Sequence, residues 1–201
     1  MNEAEIRKGL IDGVALALKR ARTWSNGRVW PGDTGAENLI QVSIAQKVFG
    51  AARRVPPVIE LEATLGRLGV EGDRRRVDIA LMRHADHYER PHPFCVIEVK
   101  KAPGGDFAED LRKLETLLDT VPTIRYGFLA TYFQHRLAAG GRSRSVETFM
   151  GDLHVAVSEA AEQHHLALSR VEARSFRGIV FDDAGDRHCA GAVIHRFARP
   201  S

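Results

Sequence analysis

Residues 94–100 read Phe94-Cys95-Val96-Ile97-Glu98-Val99-Lys100, an apolar run that ends in a carboxylate and an ammonium two positions apart. Side chains alternate across a strand. As a strand, this segment puts Phe94, Val96, Glu98 and Lys100 on one side and Cys95, Ile97 and Val99 on the other. Its near-continuous hydrophobicity is that of a strand covered on both faces. A polar loop closed by Pro91 and Pro93 precedes it, and Gly104-Gly105 breaks the chain after it.

Upstream, Arg76-Val77-Asp78-Ile79-Ala80-Leu81-Met82 reads as a second strand, with one carboxylate among apolar neighbours. Pro56-Pro57 introduces another alternating stretch, residues 58–63. Downstream, residues 106–118 are amphipathic through Phe107, Leu111, Leu114, Leu117 and Leu118, which predicts a helix. Residues 126–133, YGFLATYF, read as a buried strand. Residues 4–22 carry Ile6, Leu10, Ile11, Val14 and Leu18 at helical spacing. Ser25-Asn26-Gly27 and Pro31-Gly32-Asp33 mark the loop that follows. A second helix is expected from about residue 34 to Gly50, and a further one over 145–166. Two β-rich stretches, around 177–181 and 192–197, flank a turn-forming segment and predict a hairpin.

Three strands joined by short loops favour antiparallel neighbours, and the strand–helix–strand that follows favours a parallel pair. The expected fold is α/β, a mixed central β-sheet flanked by helices. Its core elements run α-β-β-β-α-β over about 34–133, with an N-terminal helix and a C-terminal extension, 140–201, of helix and hairpin. At 201 residues the chain is read as one domain.

A hydrophobic share of 44% and a charged share of 27% are those of a globular protein in water. No apolar run approaches the ~20 residues that a membrane helix needs. The segment MNEAEIRKGLIDG lacks the basic-then-apolar layout of a secretory signal, so a cytoplasmic location is expected. Cys95 and Cys189, without metal-finger spacing, are read as buried free thiols. The net charge of +3 is modest. The local basic groups (Arg53-Arg54, Arg74-Arg75-Arg76, Lys100-Lys101, Arg142 and Arg144) are solvated faces or phosphate contacts.

Pairing of the second and third strands as a hairpin brings Asp78 toward Glu98. Two carboxylates in a partly dry site repel unless a cation lies between them. A hard divalent ion with oxygen ligands is the natural occupant. Such an ion polarises a phosphodiester and lowers the pKa of a bound water, while a neighbouring ammonium orients that water or balances developing charge. Asp78, Glu98 and Lys100 therefore fit metal-assisted phosphodiester hydrolysis.

Asp78, a spacer of nineteen residues, and Glu98-Val99-Lys100 at the end of an apolar strand resemble the PD-(D/E)xK nucleases, the restriction-endonuclease-like superfamily. The likeness covers about residues 34–133 and includes the element order. It implies that Asp78 and Glu98 bind Mg²⁺, with Mn²⁺ as a substitute, and that Lys100 assists the nucleophilic water. A glutamate on the helix before the first strand, common in that family, falls on Glu37. Near this centre, Lys101, Arg76, Arg112 and Lys113 are candidate phosphate contacts. The chain departs from the family pattern in having Arg76-Val77 where a strict motif places proline, and in lacking Gln-x-x-x-Tyr after Lys100.

The implied activity is a metal-dependent nuclease, DNA being the expected partner. Cutting both strands takes two centres, so a homodimer is one expectation. The alternatives are a catalytically inactive nuclease-fold module that binds nucleic acid or serves assembly, and an RNA or small-molecule enzyme using the same centre. Among bland readings, Glu98 and Lys100 form a strand-end salt bridge, and Glu60 and Glu62 form a solvated strand face, with Glu62 a substitute for Glu37 at the metal. His84, His87 and His92 are loop residues, His164-His165 a wet helix end, and Trp24 and Trp30 packing anchors.

Overall fold

The computed structural model describes residues 1–27, 37–84, 90–102, 106–137, 145–183 and 186–198. It is a mixed α/β structure with a six-stranded sheet between two helical layers. In chain order the elements are α1 (Glu3–Trp24), α2 (Glu37–Ala51), β1 (Val58–Thr64), α3 (Leu65–Leu68), β2 (Arg76–Arg83), β3 (His92–Ala102), α4 (Ala108–Thr120), β4 (Tyr126–Leu137), α5 (Val146–Gln163), β5 (Ala167–Asp183) and β6 (Asp186–Ala198). Trp30, His87 and the start expected for the second helix lie outside the described residues. No helix among the described residues is long and apolar enough to cross a membrane.

The strand order is β1-β2-β3-β4-β6-β5. β1, β2 and β3 pair antiparallel, as their short connections predict. β3 and β4 run parallel, with α4 as the crossover. The C-terminal segment, read from sequence as an extension, completes this sheet. β6 lies antiparallel along β4 from Gly127↔Phe197 to Leu137↔Arg187, and β5 forms the outer edge. Both strands are longer than the two short stretches expected, because β5 begins in a segment where charged and apolar residues mix (ALSRVEARSF). The four-residue α3, capped by Thr64 and ended by Gly69 at φ 119°, had no periodic signal to reveal it.

One core lies between the sheet and the α1/α2 layer, and uses Ile79, Leu81, Cys95, Ile97, Val99, Phe128 and Ile194. The other lies beneath α4 and α5 and uses Ala80, Met82, Val96, Leu129, Phe133, Val193 and Phe197. β3 contributes to both, which is why its sequence is apolar almost throughout. Phe94 departs from the expected alternation and joins Cys95 in the first core. The register steps from Leu81↔Cys95 to Met82↔Pro93, so Phe94 is the extra residue of a β-bulge, which shifts the facing of everything before it.

The α1 N-terminus is closed by a capping box: Asn2 Oδ1 accepts the Glu5 N–H at 2.9 Å, and Glu5 Oε2 accepts the Asn2 N–H at 2.8 Å. α1 and α2 approach closely where Gly9 and Gly13 meet Val48 and Ile44; a Cβ on Gly13 would stand 2.4 Å from Ile44 Cα. Trp24, expected as a packing anchor, is 70% exposed, because it ends α1 beyond the turns that meet α2.

Candidate active site

β2 and β3 part company at Asp78. Their last register pair toward this end is Ile79↔Ile97. Beyond it β2 continues against β1 through Ala63↔Val77 and Thr64↔Arg76, while β3 continues against β4 through Lys100↔Thr131. The fork lies at the C-terminal end of β3, where that strand runs parallel to β4, the usual place for ligands in such sheets. Asp78 fills the fork. Its Oδ2 accepts the Val99 N–H at 2.5 Å, and its Oδ1 accepts from Gln41 Nε2 at 3.0 Å.

Strand alternation sends Glu98 and Lys100 to the same side of β3, toward α4. There they meet two residues of α4 one turn apart, Asp110 and Lys113. Lys113 Nζ lies 2.7 Å from Glu98 Oε1 and 3.0 Å from Asp110 Oδ1, and it donates to the Arg76 carbonyl at 3.0 Å. Lys100 Nζ lies 3.0 Å from Asp110 Oδ2. The group is dry: side-chain exposure is 1% for Glu98, 9% for Asp110 and 11% for Lys113, against 30% for Lys100. Glu98 Oε1 and Asp110 Oδ2 are buried with no hydrogen-bond donor aligned on them. Both contact lysine ammonium groups at ion-pair length.

The crowding is written in the protonation equilibria. Burial raises the Glu98 carboxyl well above its ordinary range; the charge of Asp78 adds to this and Lys113 offsets part of it. Burial likewise raises Asp78 to about 6, against the Val99 amide and Lys113, which favour its anion. Burial works against the Lys113 charge, but Glu98 and Asp110 outweigh it and hold the ammonium above its ordinary range. Glu37, in the first turn of α2, is raised chiefly by lost solvation, with Lys100 lowering it and Asp110 and Glu62 raising it. These carboxyls stand in one another's fields with too little positive charge among them.

Asp78, Glu98, Lys100 and Glu37, named from sequence, are thus brought to one region. Arg76 is exposed beside it, and Lys101 is half-buried further along β3. Arg112 is more than half exposed and paired with Glu109 at 2.8 Å. Lys113, expected as a phosphate contact, is inside the carboxylate group instead. It lies at i+3 from Asp110, which occupies the buried stripe of α4 one turn before Leu114.

Sequence reading missed Gln41 and Asp110. Gln41 is one turn from Glu37, so once the resemblance points to Glu37, helical spacing puts Gln41 on the same face. Its Nε2 donates both to Asp78 Oδ1 and to Glu62 Oε1, the latter at 3.1 Å. Glu62, read as a solvated strand residue, remains exposed but adopts φ 54°, a left-handed conformation that is costly within a strand. Asp110 was legible as an acid on an otherwise apolar helical stripe. His164, read as a wet helix end, lies 3.4 Å from Glu115 through Nδ1 and ties α5 to α4.

All the carboxylates here are hard oxygen donors, the ligand type that a divalent ion of the Mg²⁺ kind takes, and Glu98 Oε1 and Asp110 Oδ2 meet lysine ammonium groups at 2.7 and 3.0 Å. As they stand, no three described side chains converge tightly enough to enclose one. Comparison with known proteins finds no matching family model, no matching curated protein and no matching solved structure.

Proposed function

We propose that this protein is a metal-dependent nuclease of the PD-(D/E)xK type that hydrolyses phosphodiester bonds, with DNA as its substrate. The observation that carries the proposal is the fork between β2 and β3. It gathers Asp78, Glu98 and Lys100, the three chemical groups such hydrolysis needs, at the end of a rigid central strand.

In this reading Asp78 and Glu98 hold a Mg²⁺ ion, with Glu37 completing the set. Once bound, the ion supplies Lewis-acid polarisation of the phosphodiester and a water of lowered pKa. Gln41 fixes the orientation of the Asp78 carboxylate, and the Val99 amide holds its other oxygen. Asp110 positions the Lys100 ammonium at 3.0 Å, from which it can orient the attacking water and offset charge on the pentavalent phosphorus. Arg76 and Arg112 supply positive charge at the rim for the nucleic-acid backbone.

The deciding experiment incubates the wild type and Lys100→Ala with supercoiled and linear DNA in Mg²⁺, Mn²⁺ or EDTA. Metal-dependent cutting by the wild type, lost in a folded Lys100→Ala variant, is expected. Unaltered cutting by the variant removes Lys100 from the mechanism.

A second reading, a nuclease-fold module that binds without cutting, draws on the Lys113–Glu98 ion pair, which neutralises the site from within. It predicts DNA binding that survives EDTA, and no cleavage by the wild type under any metal.

A further inference from the structure

We propose that Lys113 is a built-in counter-cation of this site: its ammonium stands where a divalent ion would draw in Glu98 and Asp110, and it must leave when the ion binds. Asp110 then becomes a metal ligand that the sequence motif does not contain. The proposal rests on the metal-dependent reading of the same residues, and adds to it the state of the site before metal arrives.

The geometry carries it. A single Nζ lies within 3.0 Å of oxygens from two different elements, Glu98 on β3 and Asp110 on α4. Glu98 is the most deeply buried acid in the group. A buried carboxylate without a compensating charge is strongly disfavoured, so an empty site needs an occupant. Lys113 provides one through a flexible four-carbon stem. In this state Glu98 and Asp110 are turned to a monovalent ammonium rather than to a shared ion.

The charges agree with such an exchange. Among the described residues, the five carboxyls Glu37, Glu62, Asp78, Glu98 and Asp110 stand near the two ammonium groups of Lys100 and Lys113, a formal charge of −3 when these seven groups are fully ionised. A divalent ion that displaces Lys113 toward solvent neutralises more of this than the ammonium did. The freed ammonium, still tethered to α4, is then available to a substrate phosphate. This reconciles the expected phosphate contact at Lys113 with its buried position here.

The test uses the full chain without DNA, with Mn²⁺ alone as the probe, and compares the wild type with Lys113→Met by calorimetry and thermal denaturation. Lys113→Met keeps the apolar stem and removes the competitor. Its Mn²⁺ affinity is expected to rise roughly ten-fold, and its metal-free midpoint to fall and recover on adding Mn²⁺. Equal or weaker Mn²⁺ binding by the variant overturns the exchange while leaving the metal site intact. Absence of binding by both proteins overturns the exchange and the metal-dependent reading together.

A measurement on the wild type guards against failure of the variant to fold. Amine acetylation read by mass spectrometry should find Lys113 protected without metal and modified when Mg²⁺ is added. Unchanged protection, at Mg²⁺ concentrations that calorimetry shows to saturate, overturns the exchange.

Discussion

Asp78 and Val99 meet across the point where β2 leaves β3, and the Asp78 carboxylate takes the Val99 amide hydrogen at 2.5 Å. The side chain therefore stands in for the ladder partner that the departing strand no longer supplies. It serves two ends, since a buried amide is satisfied and a carboxylate is fixed at the mouth of the fork. The same residue is both part of the sheet and part of the site.

These two parts separate on substitution. Asp78→Asn keeps an oxygen for the Val99 amide and is expected to fold with nearly wild-type stability while losing Mn²⁺ binding. Asp78→Ala leaves that amide without its partner and is expected to lose a further 1–3 kcal/mol or so of stability. Urea unfolding of both variants, with calorimetric titration of Mn²⁺, checks the pair. Equal stabilities would show that the hydrogen bond contributes nothing.

Gln41 touches Asp78 and Glu62 through one amide nitrogen, and acts on the site through them. Gln41→Leu keeps the bulk beneath α2 and is expected to weaken Mn²⁺ affinity by about 10- to 100-fold, the usual range for a lost orienting partner. Thermal denaturation should register little change. A drop in stability without a change in affinity would make Gln41 a packing residue only.

The proposed metal binding takes a pH dependence from Asp78, whose carboxyl is raised to about 6. A raised folded pKa contributes stability when the group is protonated. That contribution is complete below the ordinary carboxylate value and is lost as pH rises through 6. Metal competes with the same proton, so its stabilising effect grows over this interval. Mg²⁺ should raise the melting temperature more at pH 8 than at pH 5. An equal increment at both would remove Asp78 from the ligand set.

His195 contributes with the opposite sign. It is buried on β6, stacked on His154 at 5.6 Å between ring centroids, and neither ring nitrogen has a partner among the described residues. Burial, then His154, pushes it down to about 3. A depressed folded pKa means stability is complete above about 6.5 and is lost as pH falls toward 3. His195→Phe removes two unsatisfied nitrogens. Its melting temperature should equal or exceed that of the wild type at pH 7 and fall less steeply in acid. A parallel pH profile for the two proteins would contradict this account.

Gly13 sets the distance between α1 and α2. A Cβ there would lie 2.4 Å from Ile44 Cα, so Gly13→Ala must push the helices apart. The expected cost is roughly 1–3 kcal/mol in urea unfolding. Because α2 carries Glu37 and Gln41, a weaker Mn²⁺ affinity should accompany it. Full retention of stability would mean that the two helices can slide without loss.

The sequence by itself determined most of the elements, and Asp78, Glu98 and Lys100 among the charged groups of the centre. β3 was legible because a strand covered on both faces must be apolar, so Glu98 and Lys100 at its end stood out. The helices were legible from the 3.6-residue period of Leu10, Val14 and Leu18 in α1 and of Leu111, Leu114 and Leu118 in α4. Asp78 followed from the strand pattern of residues 76–82, and Glu37 from the family resemblance alone.

What only the tertiary structure decided depended on contacts between distant segments. The bulge at Phe94, the fork after Ile79↔Ile97 and the docking of β6 on β4 depend on cross-strand register, which no local pattern fixes. Asp110 and Lys113 joined the site because α4 crosses over β3 and turns that face inward. A lysine that looks like a surface charge in sequence became the buried partner of Glu98, since an unpaired carboxylate in that dry space would have cost far more than drawing the ammonium in.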